Sequence, residues 1–325
     1  MSFKQQKCIL VTGGAGFIGS YTAKKLIEEG YNVIIVDNFN NYYDSNLKEA
    51  RINQLLKNKE FRLYRVDITD LNPLKRIFID NKIDVVVHQA AQAGVRYSLT
   101  NPETYQKSNV RGTFNILECC REFDIKKLVF ASSSSVYGEK DTVPFGENEN
   151  TNNPVSFYAA TKKMIEVMCH SYHSLYNIKM TGLRYFTCYG EWGRPDMALF
   201  TFTKNIINGV PINVYGEGKM QRDFTYIKDI INGVIKAVEN DFSYEIFNLG
   251  YGAPMRLMQF IEILENSLGK KAKKNFLPIQ KGDVFVTYAD ISKAKKMLKW
   301  QPETLLKVGV GKFVRWYKDY YKTTN

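Results

Sequence analysis

The sequence predicts a doubly wound α/β protein: a parallel sheet with helices on both faces, followed by a smaller, mixed C-terminal lobe. Three observations carry that expectation. Apolar, strand-like runs alternate with helical ones as far as about residue 185. A glycine cluster joins the first strand to the first helix. Residues able to do chemistry fall at strand ends, where ligands of such sheets bind.

The first strand, 7–12, runs into Gly13-Gly14-Ala15-Gly16-Phe17-Ile18-Gly19, and an amphipathic helix follows over 17–29, closed by Gly30. Gly13, Gly16 and Gly19 leave room for a phosphate against the backbone and for close helix–strand packing. Phe17 and Ile18 open the helix, whose N–H groups and dipole then face the anion. The second strand, 32–36, ends on Asp37, with Asn38 beside it. A carboxylate there accepts hydrogen bonds from ribose hydroxyls and repels a 2′-phosphate. The expected cofactor is therefore NAD rather than NADP.

Strands over 61–66, 84–88, 127–132 and 179–184 continue the alternation, with helices over 46–58, 70–81, 102–123 and 155–176. After Gly190 it loosens: Pro195, Pro211, Pro254, Pro278 and Pro302 punctuate short elements, and no second nucleotide unit appears. The expected division is a cofactor domain over 1–188 and a substrate lobe over 189–325. The stretch 226–249 reads helix then strand and is expected to return to the main sheet.

Charged residues make up 24% of the 325 and hydrophobic ones 44%, ordinary for a soluble protein. No apolar run reaches membrane-spanning length, and the first strand leaves no room for a signal peptide. The five cysteines (Cys8, Cys119, Cys120, Cys169, Cys188) show no CxxC spacing and read as buried free thiols. A cytoplasmic protein is expected, with no membrane partner. The formal charge of +12 comes largely from lysine runs at 270–274 and 293–299. No stacking platform or helix-turn-helix accompanies them, so they read as a solvated face, not a nucleic-acid site.

The chemistry gathers after the fifth strand. Ser132, Ser133, Ser134 and Ser135 end it, and Tyr158-Ala159-Ala160-Thr161-Lys162 follows on a helix that sets Lys162 one turn from Tyr158. A tyrosine of pKa ~10 is a poor base at neutral pH. A lysine cation about 4 Å away, at an effective dielectric of ~20, offers ~4 kcal/mol, roughly a thousandfold in acidity. Tyr158 then becomes a candidate general base and Ser133 a hydroxyl that orients the reacting oxygen. Two other Tyr-x-x-x-Lys pairs, Tyr21/Lys25 and Tyr215/Lys219, lack this setting.

The glycine pattern, Asp37, Ser133, Tyr158 and Lys162 together resemble the extended short-chain dehydrogenase/reductase superfamily, with its Rossmann domain, along essentially the whole chain. Three segments are similar to UDP-glucuronate 4-epimerases: 88–98, 190–198 and 221–226. Gln89 and Glu191 depart from the Leu and Pro expected in that group. The resemblance implies that Asp67 and Ile68 contact the adenine. It places Gln89, Ala90, Ala91 and Asn109 along the nicotinamide and pyrophosphate path, with Tyr185 and Phe186 behind the nicotinamide. Arg222 and Lys204 would hold the UDP phosphates, with Val214, Tyr215 and Asp283 near the uridine. Ser134, Ser135, Thr187 and Arg194 would receive the sugar carboxylate. A related 4,6-dehydratase would need an Asp-Glu pair where Ser134 and Ser135 stand.

The implied activity is reversible epimerisation at carbon 4 of UDP-glucuronate, with NAD retained through each cycle and a product used in polysaccharide biosynthesis. Its rivals are 4-epimerases of UDP-glucose or UDP-N-acetylglucosamine, a UDP-glucuronate decarboxylase, and a catalytically silent NAD sensor. A homodimer is implied through the helices at 102–123 and 155–176, joined as a four-helix bundle by Phe114, Leu117, Val167 and Met168. His88 reads as a structural hydrogen-bonding residue.

Overall fold

A computed structural model describes residues 7–140 and 142–323. Strands β1 (Cys8–Thr12), β2 (Asn32–Val36), β3 (Arg62–Tyr64), β4 (Val85–His88), β5 (Lys127–Ser133), β6 (Lys179–Tyr185) and β11 (Tyr244–Leu249) form one parallel sheet. Their order is β11-β6-β5-β4-β1-β2-β3. Three two-stranded pairs lie outside it: β7 (Thr187–Tyr189) with β10 (Phe224–Tyr226), β8 (Ile212–Tyr215) with β13 (Lys274–Leu277), and β9 (Gln221–Arg222) with β12 (Met255–Arg256). The helices are α1 (Phe17–Glu28), α2 (Asn46–Ala50), α3 (Leu71–Asp80), α4 (Val95–Thr100), α5 (Pro102–Tyr105), α6 (Gly112–Glu122), α7 (Phe157–Tyr176), α8 (Ala198–Ile207), α9 (Ile227–Glu239), α10 (Leu257–Leu268) and α11 (Leu306–Tyr321).

The central strands are apolar at nearly every position because both faces are covered. Ile9, Val11, Val33, Ile35, Val85 and Val87 point to one core. Leu10, Ile34, Val36, Val86, Leu128 and Phe130 point to the other. Strand order reverses direction between β1 and β4, so the turns after these two strands part and open a crevice. That crevice places the site.

Two long helical runs are interrupted. The run at 46–58 is α2 followed by a π-turn at Arg51–Leu55, and the run at 102–123 is α5, a π-turn at Gln106–Arg111, then α6. A π-turn admits an extra residue and rotates the following face, which periodicity alone cannot show. Helix α4 was not anticipated. It lies just before Pro102, which starts a new helix at its N1 position.

Two expectations about exposure are corrected. Leu117 is fully buried in the second core, so it supplies no surface to a partner, and Met168 packs against that same core. Cys8 is half-exposed at the start of β1, whereas the other four cysteines are buried free thiols. No described helix is long and apolar enough to cross a membrane.

Candidate active site

The cleft begins at the turn between β1 and α1. Gly13 has φ +67°, and a Cβ there would sit 2.8 Å from the Ala90 backbone. A Cβ on Gly19 would lie 2.1 Å from the Gly13 carbonyl. Only glycine lets the turn fold this tightly. The first turn of α1 carries no acidic side chain, so its free N–H groups and dipole remain available to an anion. The residues therefore fit a dinucleotide diphosphate.

On one side of the turn, Asp37 is buried at the end of β2. Its Oδ2 accepts from the Ala15 N–H (3.1 Å) and its Oδ1 from Phe39 (2.8 Å). Lys48 approaches it at 3.8 Å. Asn38 donates to Asp67 (2.7 Å), beside Ile68. On the other side lies the segment after β4. The Ala90 N–H donates to the Thr12 hydroxyl (3.2 Å), and Gln89 pairs with the Tyr185 phenol (2.9 Å). His88 meets Thr12 and Thr113 through its two ring nitrogens (2.7 and 3.0 Å), and burial pushes its pKa down to about 3. It is a neutral structural group.

Helix α7, capped by the Ser156 hydroxyl on the Ala159 N–H (3.1 Å), brings Tyr158 and Lys162 to the end of β5. Ser133 accepts from the Ser135 N–H (3.1 Å) and lines the cleft together with the Tyr158 phenol. The Lys162 ammonium donates to the Ala131 carbonyl (2.9 Å), and burial pushes its pKa down to about 8. The Tyr158 phenol is raised by burial, against a lowering pull from Ser133 and the Arg194 guanidinium. One turn of helix aligns the two residues but leaves the long lysine stem free to find a backbone carbonyl.

Arg194 is itself engaged. Its Nε donates to Asp196 (3.0 Å), Asp196 accepts from the Tyr42 phenol (3.2 Å), and Arg194 Nη2 reaches the Ala93 carbonyl (3.4 Å). Ser134, Ser135 and Thr187 line the same cleft, which has a volume of about 990 Å³, within the ligand-pocket range. At the far end Arg222 donates to the Gln221 and Phe285 carbonyls (2.9 and 3.2 Å) and lies 3.4 Å from Asp283. Arg96 approaches Asp283 at 3.6 Å and stacks over Tyr215 at 4.6 Å.

Three anticipated residues do not line the cleft. Val214 is fully buried, because alternation along β8 turns Asn213 and Tyr215 to the cleft and Val214 away. Lys204 is exposed, while Thr201 and Asn205, four apart on α8, face inward. Asn109 acts from behind: in the π-turn it clamps the Gln92 N–H (2.7 Å) and carbonyl (3.0 Å) and donates to Thr161 of α7 (2.9 Å). Arg96, Tyr42 and Asp196 are the residues that sequence reasoning missed. The first and the third stood inside segments singled out above without being given a role.

A phosphate-binding turn beside a serine-tyrosine-lysine set defines a dinucleotide-dependent enzyme of the short-chain type. The chain matches the NAD dependent epimerase/dehydratase family over residues 9–250 and belongs to it. It is 49% identical to a UDP-glucuronate 4-epimerase of Thermodesulfobacterium geofontis, over 95% of this chain and 96% of that one. It is 44% identical to UDP-glucuronate 4-epimerase 1 of Arabidopsis thaliana, over 96% and 77% of the two chains. The crystal structure of UDP-glucuronic acid 4-epimerase from Bacillus cereus, in complex with UDP-glucuronic acid and NAD, superposes with a TM-score of 0.91. It is 37% identical, over 97% of this chain and 100% of that one.

The state of Lys162 gives a pH signature. It is a cation below about 8 and neutral above, so kcat/KM is expected to fall as pH rises through about 8. A pH–rate profile checks this. An alkaline limb only near the ordinary lysine value of ~10.4 rejects it.

Proposed function

We propose that the chain interconverts UDP-glucuronate and UDP-galacturonate by epimerisation at carbon 4, using bound NAD. The observation that carries the reading is the hydroxyl set Ser133, Ser134, Ser135 and Thr187 around Tyr158, in a cleft continuous with the dinucleotide turn. NAD, held at the glycine turn, would supply a reversible hydride acceptor for carbon 4 of the sugar. Tyr158 removes the 4-hydroxyl proton and later returns it, and Ser133 holds that oxygen. Lys162 and Arg194 supply the positive field that favours the phenolate. Gly13, Gly16, Phe17, Ile18 and Gly19 hold the diphosphate of NAD. Asp37, Asn38, Asp67 and Ile68 hold its adenosine, and Gln89, Ala90, Ala91 and Tyr185 flank the nicotinamide. Arg222, with Arg96, Tyr215 and Asp283, anchors UDP while the sugar turns. The enzyme works in the cytoplasm and feeds polysaccharide assembly, a setting supported by its free cysteines.

Incubation with UDP-glucuronate, followed by proton NMR, is expected to show UDP-galacturonate. Tyr158→Phe should retain NAD and lose ~10²–10⁴-fold in turnover. Turnover within tenfold of the wild type, or no galacturonate from the wild type, rejects the reading.

The oxidised sugar is a β-keto acid, which loses carbon dioxide when the carboxylate bond aligns with the carbonyl π-system. Ser134, Ser135 and Thr187 restrain the carboxylate, because short hydroxyls have few rotamers. Misplacement by ~1 Å costs ~10²-fold in a positioned reaction. Thr187→Ala should therefore slow epimerisation and raise the carbon dioxide and NADH released per epimerisation event. An unchanged ratio removes Thr187 from this role.

We also propose a homodimer formed by α6 and α7 of two copies. Phe114, Met164, Val167 and Leu175 support it, being 37%, 43%, 58% and 67% exposed. Light scattering at micromolar concentration should give twice the chain mass, and Val167→Glu should give a monomer.

A further inference from the structure

Arg51 opens the π-turn after α2 and is fully buried. Its five N–H groups all end on neutral acceptors. Nη1 donates to the Ala15 carbonyl (3.1 Å) and the Tyr43 phenol (2.7 Å). Nε and Nη2 donate to the Trp192 carbonyl (3.0 and 2.7 Å), and Nη2 also reaches the Gly193 carbonyl (3.4 Å). Among the described residues no carboxylate forms an ion pair with it; nearby Asp37 faces Lys48 instead. A buried cation without an acid is costly, so a counter-charge is expected from outside the chain.

The two ends of this clamp differ in kind. Ala15 is the tip of the glycine turn, and its N–H is held by Asp37 while its carbonyl is held by Arg51. Trp192 belongs to the segment 190–196 on the opposite wall of the cleft. It adopts φ +61°, a region unfavourable to a residue with a Cβ, and its carbonyl receives two of the five bonds. Two residues on is Arg194, whose guanidinium acts on the Tyr158 phenol. A parallel tie runs from Tyr42, beyond Asp37, to Asp196.

We propose that Arg51 is a positioning residue that couples diphosphate occupancy at the glycine turn to the conformation of segment 190–196, and so to the placement of Arg194 against Tyr158. The inference rests on the NAD-dependent reading above. The NAD diphosphate supplies the anion that Arg51 lacks and stabilises the clamped arrangement. Without it, the uncompensated cation favours release of Trp192 from its strained conformation. Linkage makes the coupling reciprocal: a sugar nucleotide that engages segment 190–196 tightens the hold on NAD.

The test compares wild type, Arg51→Lys and Arg51→Met by calorimetric titration with NAD and by amide hydrogen exchange across 190–196, with and without NAD. In the wild type, NAD should slow exchange in 190–196. Arg51→Met should bind NAD about 10–100-fold more weakly, the scale of hydrogen bonds to a charged group, with exchange in 190–196 no longer responding to NAD. Arg51→Lys keeps the charge but cannot hold both carbonyls. It should bind NAD more tightly than Arg51→Met yet lose the NAD-dependent protection, and its KM for UDP-glucuronate should rise more than its kcat falls.

If wild-type exchange in 190–196 is indifferent to NAD, Arg51 is a static strut and the proposal is overturned. It is equally overturned if Arg51→Lys keeps the wild-type response, and Arg51→Lys alone decides should Arg51→Met fail to fold. Neither binding nor exchange depends on the sugar, so failure of the epimerase reading leaves these outcomes intact.

Discussion

Two charges removed from water, Glu166 on α7 and Arg184 on β6, hold the working end of this molecule together. The guanidinium meets the carboxylate through two bonds of 2.8 and 2.9 Å, and each side chain is only 3% exposed. Glu166 also accepts from the Ser132 hydroxyl at the end of β5 (2.6 Å). Arg184 donates to the Tyr137 phenol (3.0 Å), which donates to Asn248 of β11 (2.7 Å). Asn248 in turn donates to the carbonyls of Phe145 and Asp290. Removing one partner of such a pair typically costs about 3–5 kcal/mol, because the other is left buried and unpaired. The pair lies one helical turn beyond Lys162, so it fixes the pitch and rotation of the helix that carries Tyr158. Neighbouring strand ends and the surrounding loops are tied to that helix through the same few atoms.

What the sequence reveals of this arrangement follows how local each interaction is. The strands, the glycine turn and the strand-end positions of Asp37, Asp67 and Ser133 depend on short-range periodicity and backbone sterics, and they stand in the structure where the pattern puts them. The π-turn that carries Asn109 is also local, but it hides inside a run of helix-forming residues, and its effect is to turn an amide inward. Alternation along β8 separates Tyr215 from Val214, a period-2 signal already present in the residues. The three-residue spacing of Phe114 and Leu117 gives no such help, since only packing decides that one is exposed and the other buried.

Long-range partners are the part that no pattern shows. Lys162 stands one turn from Tyr158, but the carbonyl of β5 that holds its ammonium lies 31 positions away. A buried arginine such as Arg51 looks in the sequence like any surface cation of an exposed helix. Its carbonyl partners are 36, 141 and 142 positions away, so the clamp exists only once the fold has formed.

The same geometry explains why the sugar carboxylate would be met by hydroxyls rather than by a free guanidinium. Arg194 already shares its charge with Asp196, and the Tyr42 phenol steadies that carboxylate in turn. What reaches the cleft is a partly neutralised cation, able to lower the Tyr158 phenol without gripping a mobile anion. A sugar that must present both faces of carbon 4 to one hydride acceptor has to turn while its nucleotide stays put. A bidentate arginine–carboxylate bond would resist that turn, because its two parallel bonds fix direction as well as distance. Serine and threonine oxygens stay in few positions while their O–H bonds turn, so single bonds from fixed points could meet the carboxylate at each end of the turn. On the proposed epimerase reading, the Arg194–Asp196 pair would separate two needs that a lone arginine would confuse: a positive field for the base, and a hold on the substrate that lets it turn.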